Sequence, residues 1–174
     1  MKSISRILCF VTVAFCFGPL LYGGPFDLEI HCIPKRVDQN AKMAGDGGAA
    51  VTKEHWAYEV TVENRTFKEM DNLDVKYIIF FNQEQLGVKA AATSRRQNGG
   101  FTIAALKPHE KKVFTTDSVE LSKSHLVGNW IYHSGAKPNA TDTLSGLWVR
   151  AYQADQLLSD YANPSTLKIQ QKWE

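Results

Sequence analysis

The chain has 174 residues, of which 44% are hydrophobic, 22% charged and 11% aromatic, with 20 Lys and Arg against 18 Asp and Glu. That is apolar material for one sizeable core. A net charge of +2 gives no electrostatic case for nucleic acid or for an anionic membrane surface as a partner.

Lys2 and Arg6 precede an apolar run over residues 7–17 that is too short to span a bilayer, and the breakers Gly18-Pro19 and the small pair Gly23-Gly24 follow. This order reads as a secretory signal peptide over 1–23, cleaved after Gly23, which leaves a single mature domain at 24–174 with no membrane segment. Cleavage removes two bases and leaves 18 basic residues against 18 acidic ones, a formally neutral chain. Cys9 and Cys16 leave with the leader. Cys32 then stands alone, so no internal disulfide is expected, and the location is the envelope or the extracellular space.

Phe26, Leu28, Ile30 and Cys32 alternate with Asp27, Glu29 and His31, the writing of a half-buried strand with a buried thiol. Residues 35–51, with Gly45-Asp46-Gly47-Gly48 inside, show no periodicity and read as a long flexible loop. Alternation resumes at Trp56, Tyr58, Val60 and Val62. Residues 73–81 begin as an alternating strand and become apolar on both faces, which suits a central strand. Further strands are expected at 86–91, 101–105, 111–117, 127–133, 146–153 and 156–161, with turns between them at Asn98-Gly99-Gly100, Lys107-Pro108, 135–138 and Ala154-Asp155. Short strands at such spacing predict an all-β, antiparallel β-sandwich of a single domain.

One stretch adds a resemblance. Leu106-Lys107-Pro108-His109-Glu110 leading into Lys111-Lys112-Val113-Phe114 resembles the leucine, proline, glycine, glutamate turn that feeds a strand in bacterial immunoglobulin-like and fibronectin-III-like domains. His109 stands at the glycine position. The resemblance implies an immunoglobulin-like sandwich and, over about nine residues, no particular activity.

No nucleotide or cofactor fingerprint is present, and His31, His55, His109, His125 and His133 show no metal-ligand spacing, so neither cofactor nor metal is expected. Ser124-His125 lacks the context of a nucleophile elbow. Asn64-Arg65-Thr66 and Asn139-Ala140-Thr141 fit the glycosylation triplet. The candidate binding residues are Trp148, Arg150 and Tyr152, which share one face of a strand while Leu147, Val149 and Ala151 face the core; a guanidinium between two rings can stack on both. Trp130 and Tyr132 extend that surface if their strand is a neighbour. The plainer reading of the same residues is a structural ladder that covers the sheet, and the opposite assignment, with Trp148 and Tyr152 buried, stays open. The expectation is a secreted, non-enzymatic interaction module for a protein, a glycan or a second copy of itself, with a carbohydrate-binding module as the alternative and a small hydrolase third.

Overall fold

The structure, a computed structural model, describes residues 27–42, 48–129 and 131–173. The leader, Phe26, the tip of the glycine-rich stretch at 43–47 and Trp130 lie outside the described residues. The strands are β1 (Leu28–Lys42), β2 (Ala49–Asn64), β3 (Met70–Gln83), β4 (Thr93–Leu106), β5 (Lys111–Thr115), β6 (Val119–Leu126), β7 (Asn139–Thr141), β8 (Thr143–Gln153) and β9 (Gln156–Asn163), followed by one helical turn, α1 (Leu167–Gln170). No helix among the described residues is long and apolar enough to cross a membrane.

Two antiparallel sheets form an immunoglobulin-like sandwich. One runs β1-β2-β6-β7 with β5 also beside β2, and the other runs β4-β3-β8-β9. Leu28, Ile30, Cys32, Val60 and Val62 from the first sheet meet Leu73, Val75, Tyr77, Ile79, Leu147 and Val149 from the second. Burying each such side chain stabilises by roughly 2 kcal/mol relative to exposure, so a register slip of one residue is strongly opposed.

β5 and β6 share one edge of β2, pairing with Glu59–Glu63 and Ala49–Trp56 respectively, and Thr116 fills the break between them. Its N–H donates to Tyr58 O (2.9 Å), and its hydroxyl accepts from Tyr58 N–H (2.8 Å). The β2 ladder therefore loses no main-chain partner at the break. Across the sandwich, the Tyr77 hydroxyl donates to Asp117 Oδ2 (3.1 Å) and accepts the Asp117 N–H (2.9 Å). Tyr77 pairs with Gly99 on β4, and a Cβ at Gly99 would stand 2.3 Å from the Tyr77 oxygen. Glycine is required at this position by the ring lying over it.

Four expectations need correction. The turn expected at Asn98-Gly99-Gly100 is instead the middle of β4, where these residues pair with Ile78, Tyr77 and Lys76 of β3. The long loop at 35–51 is instead, over its described residues, the outer half of the β1–β2 hairpin, with Lys42 opposite Val51. From Ile33 to Lys42 every β1 residue is exposed, and a bulge between Arg36 and Asp38 shifts the register, so the alternation that marks a strand is lost while the ladder continues. The strand expected at 86–91 is the β3–β4 connection, bent at Gly87 (φ +78°), where the Tyr132 ring lies close against the backbone. The strand expected at 127–133 is a loop over its described residues. β6 lies just upstream and mixes polar with apolar residues on both faces, which hid it.

The turn that carries the resemblance is closed by two hydrogen bonds. The Lys107 N–H donates to Glu110 Oε2 (2.7 Å), and the Glu110 N–H returns to Lys107 O (3.0 Å). His109 sits at φ 60°, the left-handed region in which glycine is at ease.

Candidate functional site

The outer face of the β4-β3-β8-β9 sheet carries the candidates from the sequence. Leu147, Val149 and Ala151 are fully buried in the main core, and Trp148, Arg150 and Tyr152 project to the opposite side. That side is not open at Trp148, which is only 4% exposed. The chain returns after β9 and lays Leu167 and Trp173 over Ile78, Phe80 and Trp148 as a second apolar cluster.

Arg150 lies between two rings, but they are Trp148 (4.9 Å) and Trp173 (4.5 Å) rather than Trp148 and Tyr152. Asp160 on β9 holds the group together, accepting from Trp148 Nε1 (2.6 Å), Arg150 Nε (3.2 Å) and Lys168 Nζ (2.9 Å). Burial pushes the Asp160 carboxyl up, yet the hydrogen bonds from Lys168 and Trp148 outweigh it and hold the group below the usual aspartate range. The three candidates thus separate. Trp148 is buried under the C-terminal segment and Arg150 is partly covered by Trp173, while Tyr152 stays half-exposed with the Lys76 ammonium 5.4 Å from its ring centre. Tyr132 belongs to the loop that packs on Gly87, and Trp130 lies outside the described residues.

A different constellation stands at the end of the sandwich where the β2–β3, β4–β5 and β8–β9 connections meet. It is built from Asn64, the last residue of β2, which is completely buried. Its Oδ1 accepts from the Thr66 N–H (2.9 Å) and the Thr66 hydroxyl (2.8 Å), and its Nδ2 faces the carbonyls of Lys68 (2.7 Å), Leu106 (3.0 Å) and Lys107 (3.1 Å). Because the amide is enclosed, the Asn64-Arg65-Thr66 triplet cannot accept a glycan in the folded protein. Asn139 is exposed on β7.

The turn fixed by Asn64 projects Phe67 into solvent, 87% exposed. The His109 ring stands edge-on to it at 4.9 Å and 84°. Beside Phe67 opens a cleft of about 540 Å³ lined by Met70 and Leu158 at its apolar side and by Asp27, Arg65, Gln153 and Gln156 at its polar side. A large aromatic side chain held out on a hydrogen-bonded turn, next to an apolar recess, is arranged as an anchor for a partner. Sequence reading passes over Phe67 because a single aromatic residue in a polar turn has no periodicity. The signal that was available is a bulky apolar residue flanked by Thr66 and Lys68, where turn chemistry calls for small or polar types.

Among the described residues, no group of three or more His, Cys, Asp or Glu is arranged to hold a metal ion. His125 is exposed on β6, and His133 is exposed in the following loop.

No family model and no curated protein matches the chain. Among solved structures it is similar to an X-ray structure of a structural-genomics target, at 9% identity and a TM-score of 0.35, covering 79% of this chain and 86% of that one. It is also similar to a crystal structure from Akkermansia muciniphila, at 7% identity and a TM-score of 0.34, covering 84% and 78%. Overlap of that degree carries no weight for the site.

Proposed function

We propose that the chain is an exported, non-enzymatic interaction module that engages a protein partner through the loop end centred on Phe67. Export is supported by the leader pattern at 1–23. The observation that carries the interaction reading is Phe67 itself. Leaving an aromatic side chain in water forgoes roughly 2 kcal/mol of burial, and here the turn beneath it is tied down at five hydrogen-bond distances from one buried amide.

The recess next to Phe67 has the size and mixed lining of a pocket for one apolar side chain of a partner with polar groups at its rim. Its hydroxyl, that of Thr66, is engaged inside the turn with Asn64 and Lys68 O. Loops on a rigid scaffold are the usual place for such contacts. Immobilised wild type and Phe67→Ala, exposed to proteins from the native host's envelope and medium, test the reading. A partner retained by wild type and lost by Phe67→Ala supports it, and equal retention by both refutes it.

A further inference from the structure

We propose that the partner taken by the Phe67 end is a second copy of this chain, docked about a two-fold axis that seats the ring of each copy in the recess of the other; the inference rests on the interaction reading above and names its occupant. A two-fold contact needs one patch that carries both a projecting group and the space that receives it. The β2–β3 connection carries both. Phe67 stands out of it, 87% exposed, and the same stretch, residues 65–70, forms one wall of the cleft of about 540 Å³ whose apolar side is Met70 and Leu158. At that exposure the ring does not occupy its own cleft.

Charge then selects among partners. Lys68 and Glu69 follow Phe67, line the same cleft, are both exposed and, among the described residues, carry no ion pair. The other basic groups beside this turn are committed, Arg65 to Glu63 at 3.1 Å and Lys111 to the same carboxylate at 3.0 Å. A partner surface of one sign would therefore meet one attractive and one repulsive neighbour. A lysine and a glutamate side by side are instead complemented by their own image turned through half a revolution, because the lysine of each copy then meets the glutamate of the other. An axis passing between Lys68 and Glu69 does this, and the same axis brings each Phe67 opposite the other copy's Met70, an apolar wall of the recess. One operation satisfies the anchor and the charges together. Two turns and two recesses make a small contact of the transient class, so the dimer should stand in equilibrium with monomer and depend on concentration.

Sedimentation of the full chain over a concentration series reads that equilibrium. Phe67→Ala should weaken dimerisation at least about tenfold, as loss of a central aromatic anchor does. Lys68→Glu leaves two acids on each turn and Glu69→Lys leaves two lysines, so each variant alone should also weaken it at least about tenfold through like charges facing each other twice. Mixed in equal amounts, these two single variants should pair with one another to within about threefold of the wild-type affinity, since every facing pair is again of opposite sign. The chain carrying both exchanges should recover in the same way. All three positions are exposed, and near-UV circular dichroism matching wild type confirms that each variant is folded.

A wild-type chain that is monomeric at every concentration, a dimer that Phe67→Ala leaves unchanged, or single charge variants that do not pair when mixed overturns the second copy as the partner. If wild type is monomeric and still retains a different envelope protein that Phe67→Ala does not, the second copy is overturned and the interaction reading stands. If neither dimerisation nor retention depends on Phe67, both are overturned.

Discussion

Asn64 and Thr66 close a turn on themselves: the buried carboxamide oxygen of Asn64 accepts both the main-chain N–H and the hydroxyl of Thr66, at 2.9 and 2.8 Å. The next residue is thereby committed to point outward, and that residue is Phe67. Orientation of the exposed ring is thus set by a residue with no exposure at all. Asn64→Ala leaves the facing carbonyls of Lys68, Leu106 and Lys107 short of a donor inside the fold, so it should cost about 2–3 kcal/mol in urea unfolding. Unfolding that matches wild type would show that the turn does not depend on the amide.

The fit of Tyr77 over Gly99 predicts that Gly99→Ala is destabilising by about 2 kcal/mol, because the new methyl group would displace the ring and with it the two hydrogen bonds to Asp117. Thermal unfolding measures it. Gly99→Ala combined with Tyr77→Ala should lose most of the added penalty, since the ring that the methyl group strikes is gone.

Cys32 faces the core, and burial pushes its thiol up to about 12. Labelling by a thiol reagent at pH 8 should be slow in the native protein and become fast only in denaturant, since the thiolate is the reactive form. Rapid native labelling would place Cys32 elsewhere.

Asp160 gives the packing of Trp173 on Trp148 a pH dependence with a definite sign. Its folded carboxyl titrates below the ordinary aspartate range, so the stabilisation is present above the unfolded value of about 3.9 and is lost as pH falls through the folded value. Tryptophan fluorescence should therefore report loosening of the Trp148–Trp173 contact only as the solution is acidified below about pH 4. Asp160→Asn should remove that acid transition. A transition centred near neutrality would contradict the assignment.

The sandwich was legible because burial writes itself as alternation: Val60 and Val62, Leu73 to Ile79, and Leu147 to Ala151 all announce their faces. What remained hidden has a common cause. The outer half of β1, from Ile33 onward, is held by ladder hydrogen bonds and has no buried face, so composition carries no trace of it. The separation of Trp148 from Tyr152 depends on Leu167 and Trp173, which approach from the far end of the chain. Period-two spacing identifies which side chains share a face but not what later folds across it. His109 shows the converse case, in which the residue departs from the expected glycine and the backbone does not.

The most direct test of the central claim places a photoreactive benzoylphenylalanine at position 67 and, as a control, at Val113, which is also exposed, 56% by area, on the outward side of β5. Each protein is irradiated in its native host's envelope. Aromatic anchors at interface centres typically carry about 2 kcal/mol or more of binding energy, so a discrete adduct from position 67, absent from position 113 and suppressed by excess wild type, is the predicted result. No adduct from position 67, or the same adducts from both positions, would contradict the account.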